Sequence, residues 1–327
     1  MLARTVFTIL FFVQATSFAT EVDNFTVRTG FTDSRSWLNE KMNASLKEAA
    51  AETKTCDPFE LHKALYKKLG GPLYAKIELW SAENPNVIKL PIDRSIYRQI
   101  SKKFVSNFGL LPVPMKTFYT EHNLMMNDVI FGDDKLGHFF QVGYDVFYAV
   151  RKKSDEKFKD ARGAQEKYGD LRFGSRAFVK KSKLKGDALA HALNQFLEEG
   201  QWGAKGPGVK SYGDIAANWE GYRFWNQLTE GPHPYFNCSG SGRFELTREF
   251  DFADYVTAAW DEGINCSVTS EKLGPTVQKE ILDRSKGGCP IAPNSCRELR
   301  ARYSEVAPMI LSSACLKAAD AEATEKP

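Results

Sequence analysis

The sequence predicts a mainly α fold: a helical bundle-like domain with a small β hairpin and a disulfide-stapled C-terminal extension. Three observations predict it. Two stretches, 132–150 and 211–228, carry apolar residues at helical spacing over wide faces, as helices in a core centre do. Several shorter amphipathic segments surround them. Six cysteines, four of them after residue 260, form an even set that favours three disulfides over free thiols.

Residues 1–19 read as a secretory signal. Arg4 supplies a positive start, residues 6–13 an apolar centre, and Ser17-Phe18-Ala19 a small-x-small cleavage site. No later stretch approaches the roughly 18 uninterrupted apolar residues of a membrane span. The expected location is therefore periplasmic or secreted, with no transmembrane span. Against 41 acidic residues, the 44 Lys and Arg leave a net charge of +3, too small an excess for a phosphate-tracking groove, so nucleic acid is not an expected partner.

Along the mature chain, residues 20–33 read as an extended arm. Residues 34–52 form a helix with Leu38, Met42, Leu46 and Ala49 on its buried face, and 56–69 another, stopped by Gly70-Gly71. The loose alternation of 73–90 gives the small hairpin. Ile96, Ile100, Phe104 and Phe108 fall four apart in a helix over 95–108. After the central helix, basic runs at 151–153 and 180–185 read as solvated surface. A break near 174–185 precedes a helix at 187–199, where His191, Asn194 (or Gln195) and Glu198 share a face. The Gly-rich stretch 200–208 carries Trp202 and serves as a mobile connection. No Gly-Lys-Ser/Thr follows it, so it is no phosphate-binding loop. Residues 250–265, 272–285 and 295–306 read as further helices, and 318–327 as a disordered tail. The domains are thus expected at 20–230 and, for the Cys-rich extension, 231–317. The favoured pairings are Cys289–Cys296, Cys238–Cys266 and Cys56–Cys315. Sequons occur at Asn24, Asn43, Asn237 and Asn265.

The polar residues of the two main helices are not scattered. Asp134, His138, Gln141 and Asp145 form one stripe; Asp214, Ala217, Asn218 and Gly221 line one face of the other. Ser211 is a helix cap with Asp214 in the first turn. Small residues at Gly137, Ala217 and Gly221 would let the two backbones approach, enclosing a polar site between them. In this reading His138 is a proton carrier or ligand, Asp134 and Asp214 orient it or bind a cation, and Asn218 donates to substrate, with Lys135, Gln141 and Trp202 as further binding residues.

Other readings stay open. Asp134, His138, Asp214 and Glu198 are ligand types for a divalent metal. But D-x-x-x-H is a common spacing and H-E-x-x-H is absent, so no residue is assigned to a metal and the cofactor stays unknown. Glu198 or Glu199 beside the Gly-rich loop, with an Asp partner, could serve as the carboxyl pair of a peptidoglycan-type glycan hydrolase. The stripe could equally be the solvent side of an amphipathic helix in a noncatalytic structural or interaction protein. Gly-x-Ser-x-Gly is absent, which weighs against a serine nucleophile.

Asp134-Lys135-Leu136-Gly137-His138-Phe139, followed later by Ser211 through Gly221, resembles the paired D-K-x-x-H-F and S-x-x-D-x-x-A-N-x-x-G motifs of VanZ-like and YfiM-like envelope proteins. The resemblance implies a bacterial cell-envelope setting. It also implies a shared polar site of Asp134, Lys135, His138, Asp214 and Asn218, acting on an envelope component such as peptidoglycan or a lipid-linked glycan. VanZ-like members place these helices in the membrane, whereas here Arg151-Lys152-Lys153 ends the apolar stretch early.

Overall fold

The computed structural model describes residues 21–71, 74–91, 93–97, 119–120, 122–155, 158, 175–200, 203–205, 208–271, 273–285 and 287–324. The expected leader at 1–19, the expected helix beyond Tyr97 and the expected binding residue Trp202 lie outside them.

The chain is mainly helical, with a few short strand pairs. The arm begins in β1 (Glu21–Val22), and α1 (Arg35–Glu52), α2 (Pro58–Leu69) and α3 (Lys76–Ala82) follow. Asp57 caps α2 by accepting from the Phe59 amide, and Pro58 takes the first turn, where its missing N–H costs nothing. Leu38, Met42, Leu46 and Ala49 are buried as the spacing predicts. Residues 73–90 are not a hairpin. Ile77, Glu78 and Ser81 turn inward at helical spacing in α3, and among the described residues of this stretch only β2 (Ile88–Lys89) is a strand.

The hairpin lies further on. β3 (Tyr119–Thr120) pairs with β1, and β4 (His122–Met126) pairs with β5 (Val129–Gly132). Asn127 and Asp128 join these two strands with φ of 50° and 63°, the left-handed pair that a two-residue hairpin turn requires. β2 completes the sheet on the other edge of β4. This hairpin delivers the chain into the central helix.

That helix is continuous but not uniform. α4 (Asp134–Gly137) passes through a π-helical turn, His138–Val142, into α5 (Gly143–Ser154). α6 (Ser175–Lys181) occupies the expected break, and α7 (Gly186–Glu199) follows. β6 (Val209–Lys210) leads into α8 (Tyr212–Gln227). The close approach of α5 and α8 occurs at two glycines. A Cβ on Gly143 would lie 2.7 Å from the Gly221 Cα, and one on Gly221 would lie 2.0 Å from the Phe139 carbonyl oxygen. Gly221 thus does what its sequence position suggests. Gly137 does not: its missing Cβ makes room for Glu78 on α3.

β7 (Phe236–Cys238) and β8 (Phe244–Leu246) form a second hairpin. The helix expected over 250–265 is absent. Asp251 and Thr257 bond the backbone amides two residues on, which breaks the segment into short 3₁₀ turns at Phe252–Asp254 and Ala258–Trp260. Its aromatic residues still point inward: the Tyr255 and Trp260 rings pack 5.3 and 5.7 Å from Phe139. β9 (Val268–Thr269) pairs with β6, and α9 (Gly274–Ser285), α10 (Pro293–Tyr303), α11 (Ala307–Ile310) and α12 (Ser313–Thr324) complete the chain. α12 takes in residues 318–324 of the expected disordered tail, and 325–327 lie outside the described residues.

Three disulfides form, but none with the favoured partner. They are Cys56–Cys238, Cys266–Cys289 and Cys296–Cys315. The last ties α12 to α10, which explains why the C-terminal segment is ordered. The buried sequon residue Asn265 is a structural clamp. Its amide donates to the carbonyls of Tyr212, Ala259 and Ile310, each at 3.1 Å, and its oxygen accepts from the Ser312 amide. Among the described residues, no helix is long and apolar enough to cross a membrane.

Candidate functional site

The site is built around two cations set one turn apart. Lys135, in the first turn after the β4–β5 hairpin, runs its side chain past the start of α8. Gly213 makes that path, since a Cβ there would lie 2.8 Å from the Lys135 Cε. The buried ammonium has three carboxylate partners: Asp134 Oδ2 at 2.9 Å, Asp214 Oδ1 at 2.6 Å and Glu262 Oε1 at 2.7 Å. The ammonium donates to Asp134 and Glu262 and is ion-paired with Asp214, the compensation a buried ammonium needs. Burial alone would lower the Lys135 pKa, but Asp134, Asp214, Glu262 and Glu21 outweigh it and hold it well above its usual value.

His138 follows on the π turn. Its Nε2 lies 3.0 Å from Asp214 Oδ2, and its Nδ1 lies 3.0 Å from Asn218 Oδ1. Asp214 and Asn218 stand four apart on α8, so one helix face grips both nitrogens of the ring. Burial pulls the His138 pKa down, but the Asp214 carboxylate, with Glu198 and Asp134, pushes it up to about 9. The ring is an imidazolium at neutral pH, donating to Asn218 and ion-paired with Asp214. Asp214 is raised by burial and lowered more strongly by His138 and Lys135, which hold it ionised.

Ser211 organises the start of α8. Its hydroxyl accepts from the Asp214 amide at 3.0 Å and donates to Glu262 Oε1 at 2.6 Å. The cap therefore fixes Asp214 on the helix and Glu262 on the lysine at once.

Glu198, at the end of α7, brings Oε1 to 3.9 Å from His138 Nδ1. The side chain is fully buried, and neither carboxyl oxygen has a hydrogen-bond partner among the described residues. Burial, then the Asp214 and Glu262 charges, raises its pKa to about 8, so it is largely protonated. Gly203 closes over it: a Cβ there would lie 2.1 Å from the Glu198 carbonyl. Burial likewise raises Asp134 to about 7, with Lys135 opposing.

The residues singled out in the sequence therefore separate. Asp134, Lys135, His138, Glu198, Asp214 and Asn218 come together. Asp134, His138, Gln141 and Asp145 are 2, 4, 4 and 9% exposed, so the stripe is not a solvent face. Gln141 is buried on the π turn, but among the described residues no hydrogen bond joins it to this cluster. Glu199 turns outward, 62% exposed, to pair with Lys210 at 2.8 Å.

Glu262 and Glu21 are the members sequence reasoning missed. Glu262 sits in an irregular loop with no periodic signal. Glu21 is wholly buried in β1, its carboxyl oxygens without hydrogen-bond partners among the described residues. Its pKa is raised well above normal by burial and by Asp214 and Glu262. Nothing in its extended arm marks it for the core.

No family model, no curated protein and no solved structure matches this chain.

Proposed function

We propose that the chain is an exported protein of a bacterial cell envelope that binds or processes an envelope component at the site between α4–α5 and α8. The supporting observation is the His138 ring, gripped by Asp214 and Asn218, with the Glu198 carboxyl at 3.9 Å and without a hydrogen-bond partner among the described residues. A purely structural core has little use for that arrangement, because a buried carboxyl without partners is costly. His138 and Glu198 are the proton donors of the site, Asp214 orients the imidazolium, and Asn218 offers its free amide to a ligand. The motif resemblance and the three disulfides, which form in oxidising compartments, favour the envelope setting.

The ligand class is a peptidoglycan fragment or a lipid-linked glycan. The test is co-sedimentation of the mature chain with purified sacculi and with vesicles carrying lipid-linked glycan. Binding to one of them that drops at least tenfold in a folded His138→Gln variant supports the reading. Equal binding by both proteins overturns it.

A second reading, glycan hydrolysis at the same place, is favoured by the protonated state of Glu198, which suits a general acid. The outward-facing Glu199 is a poor acid for it. Loss of muropeptide release in Glu198→Gln with binding retained would select hydrolysis over binding.

A further inference from the structure

The buried cluster gathers five carboxyl groups around two basic side chains. Glu21, Asp134, Glu198, Asp214 and Glu262 surround a single ammonium and a single imidazole. Lys135 takes one oxygen from each of Asp134, Asp214 and Glu262. The second Asp214 oxygen faces His138 Nε2. One donor atom each from Asp134, His138 and Asp214 lies within 4.8 Å of the other two. A tetrahedral shell with ligand bonds of about 2.0–2.2 Å sets its donors about 3.3–3.6 Å apart, so loading draws these side chains together.

Two further features point to a ligand. Glu198 is fully buried, faces the ring and lacks a hydrogen-bond partner at either oxygen among the described residues. Asn218 Oδ1 sits on His138 Nδ1, as a carbonyl does when it orients a ligating imidazole; the Nε2 proton that faces Asp214 in the metal-free chain is released when the cation binds. From these we propose that Asp134, His138 and Asp214 bind one divalent cation of the zinc class, with Asn218 orienting the imidazole and Glu198 flanking the ring on its Nδ1 side.

The chemistry favours zinc over calcium or magnesium. The donor set mixes an imidazole nitrogen with carboxylates, whereas the harder cations take oxygen shells. The inference rests on the His138 site being the functional one, but it is measured without any envelope ligand.

The full mature chain is dialysed against chelator and then titrated with zinc alone, following heat of binding, metal content and thermal unfolding. Cobalt serves as a spectroscopic stand-in. The expected result is one equivalent of zinc, a rise in Tm on loading, and visible cobalt bands of tetrahedral character. His138→Gln and Asp214→Asn each weaken binding at least a hundredfold. Asn218→Ala keeps every ligand and weakens it ten- to a hundredfold, the cost of losing the group that orients a ligating imidazole.

No binding above the His138→Gln background, with Tm unmoved by zinc, overturns the proposal. Binding that survives in all three variants also overturns it. If Asp214→Asn fails to fold, Asn218→Ala still decides. Zinc binding without sacculus or glycan binding would sink only the envelope reading, and the converse result only this one.

Discussion

His138 Nε2 and Asp214 Oδ2 meet at 3.0 Å in the interior, from two helices whose backbones touch at Gly143 and Gly221. The pair exists because the helices come close enough for an imidazole to span the gap. Neither residue's own helix could place the other.

The glycine contact should therefore be sensitive. Gly221→Ala puts a methyl group 2.0 Å from the Phe139 carbonyl oxygen, which is backbone and cannot rotate away. The expected loss is about 1–3 kcal/mol, the usual cost of overpacking, read from urea denaturation. A variant as stable as the parent would show that the helices are not in this contact.

Lys135 holds three carboxylates, so removing its charge should be worse than removing one acid. Lys135→Met is expected to cost about 3–5 kcal/mol, as breaking a buried ion pair does. Adding Glu262→Gln should restore part of that loss, because one uncompensated acid disappears. A double variant less stable than Lys135→Met alone would contradict the ammonium-centred arrangement.

Two histidines away from the site contribute to the acid response. Burial lowers the His191 pKa to about 4, and burial also lowers that of His62. A depressed histidine binds its proton in the unfolded chain first. The contribution is therefore fully present above about pH 6.5, the unfolded value, and is lost as pH falls through the folded value. Phenylalanine can keep the stacking of His191 on Trp219, whose ring centroids lie 3.9 Å apart. His191→Phe should thus flatten the fall in stability between pH 6.5 and 4. An unchanged slope in chemical denaturation across that range would contradict the assignment.

The disulfide pairing can be read by non-reducing peptide mapping. It should link Cys56 to Cys238, Cys266 to Cys289 and Cys296 to Cys315. The first closes the longest loop, so Cys56→Ser with Cys238→Ser should cost about 2–5 kcal/mol. A map joining Cys56 to Cys315 would refute the fold of the C-terminal region.

Much of the site was legible because its residues repeat at helical spacing. Asp134 and His138, and Asp214 and Asn218, are each four apart, and small residues beside them announced a close approach. The same logic found the buried face of α7 through His191, Asn194 and Glu198. What escaped lacks a period. Glu262 is in a loop after a 3₁₀ turn, and Glu21 is in an arm whose pairing with β3 is long-range. The segment around Phe252 and Tyr255 has apolar spacing that suits a helix, yet the Asp251 and Thr257 side chains capture the backbone amides first. The alternation of 73–80 misled for the opposite reason: a seven-residue helix is too short for its period to outweigh chance. Cysteine pairing depends on which loops meet in space, which spacing along the chain does not reveal.

The most direct test of the central claim is the thermal shift that a soluble muropeptide or glycan fragment produces in the parent chain and in His138→Gln, each first shown to be folded. A ligand that binds only the native state must raise Tm in proportion to its affinity. The account predicts a concentration-dependent rise in the parent and none in His138→Gln. Equal shifts in both proteins would show that the imidazole held by Asp214 and Asn218 is not where the ligand binds.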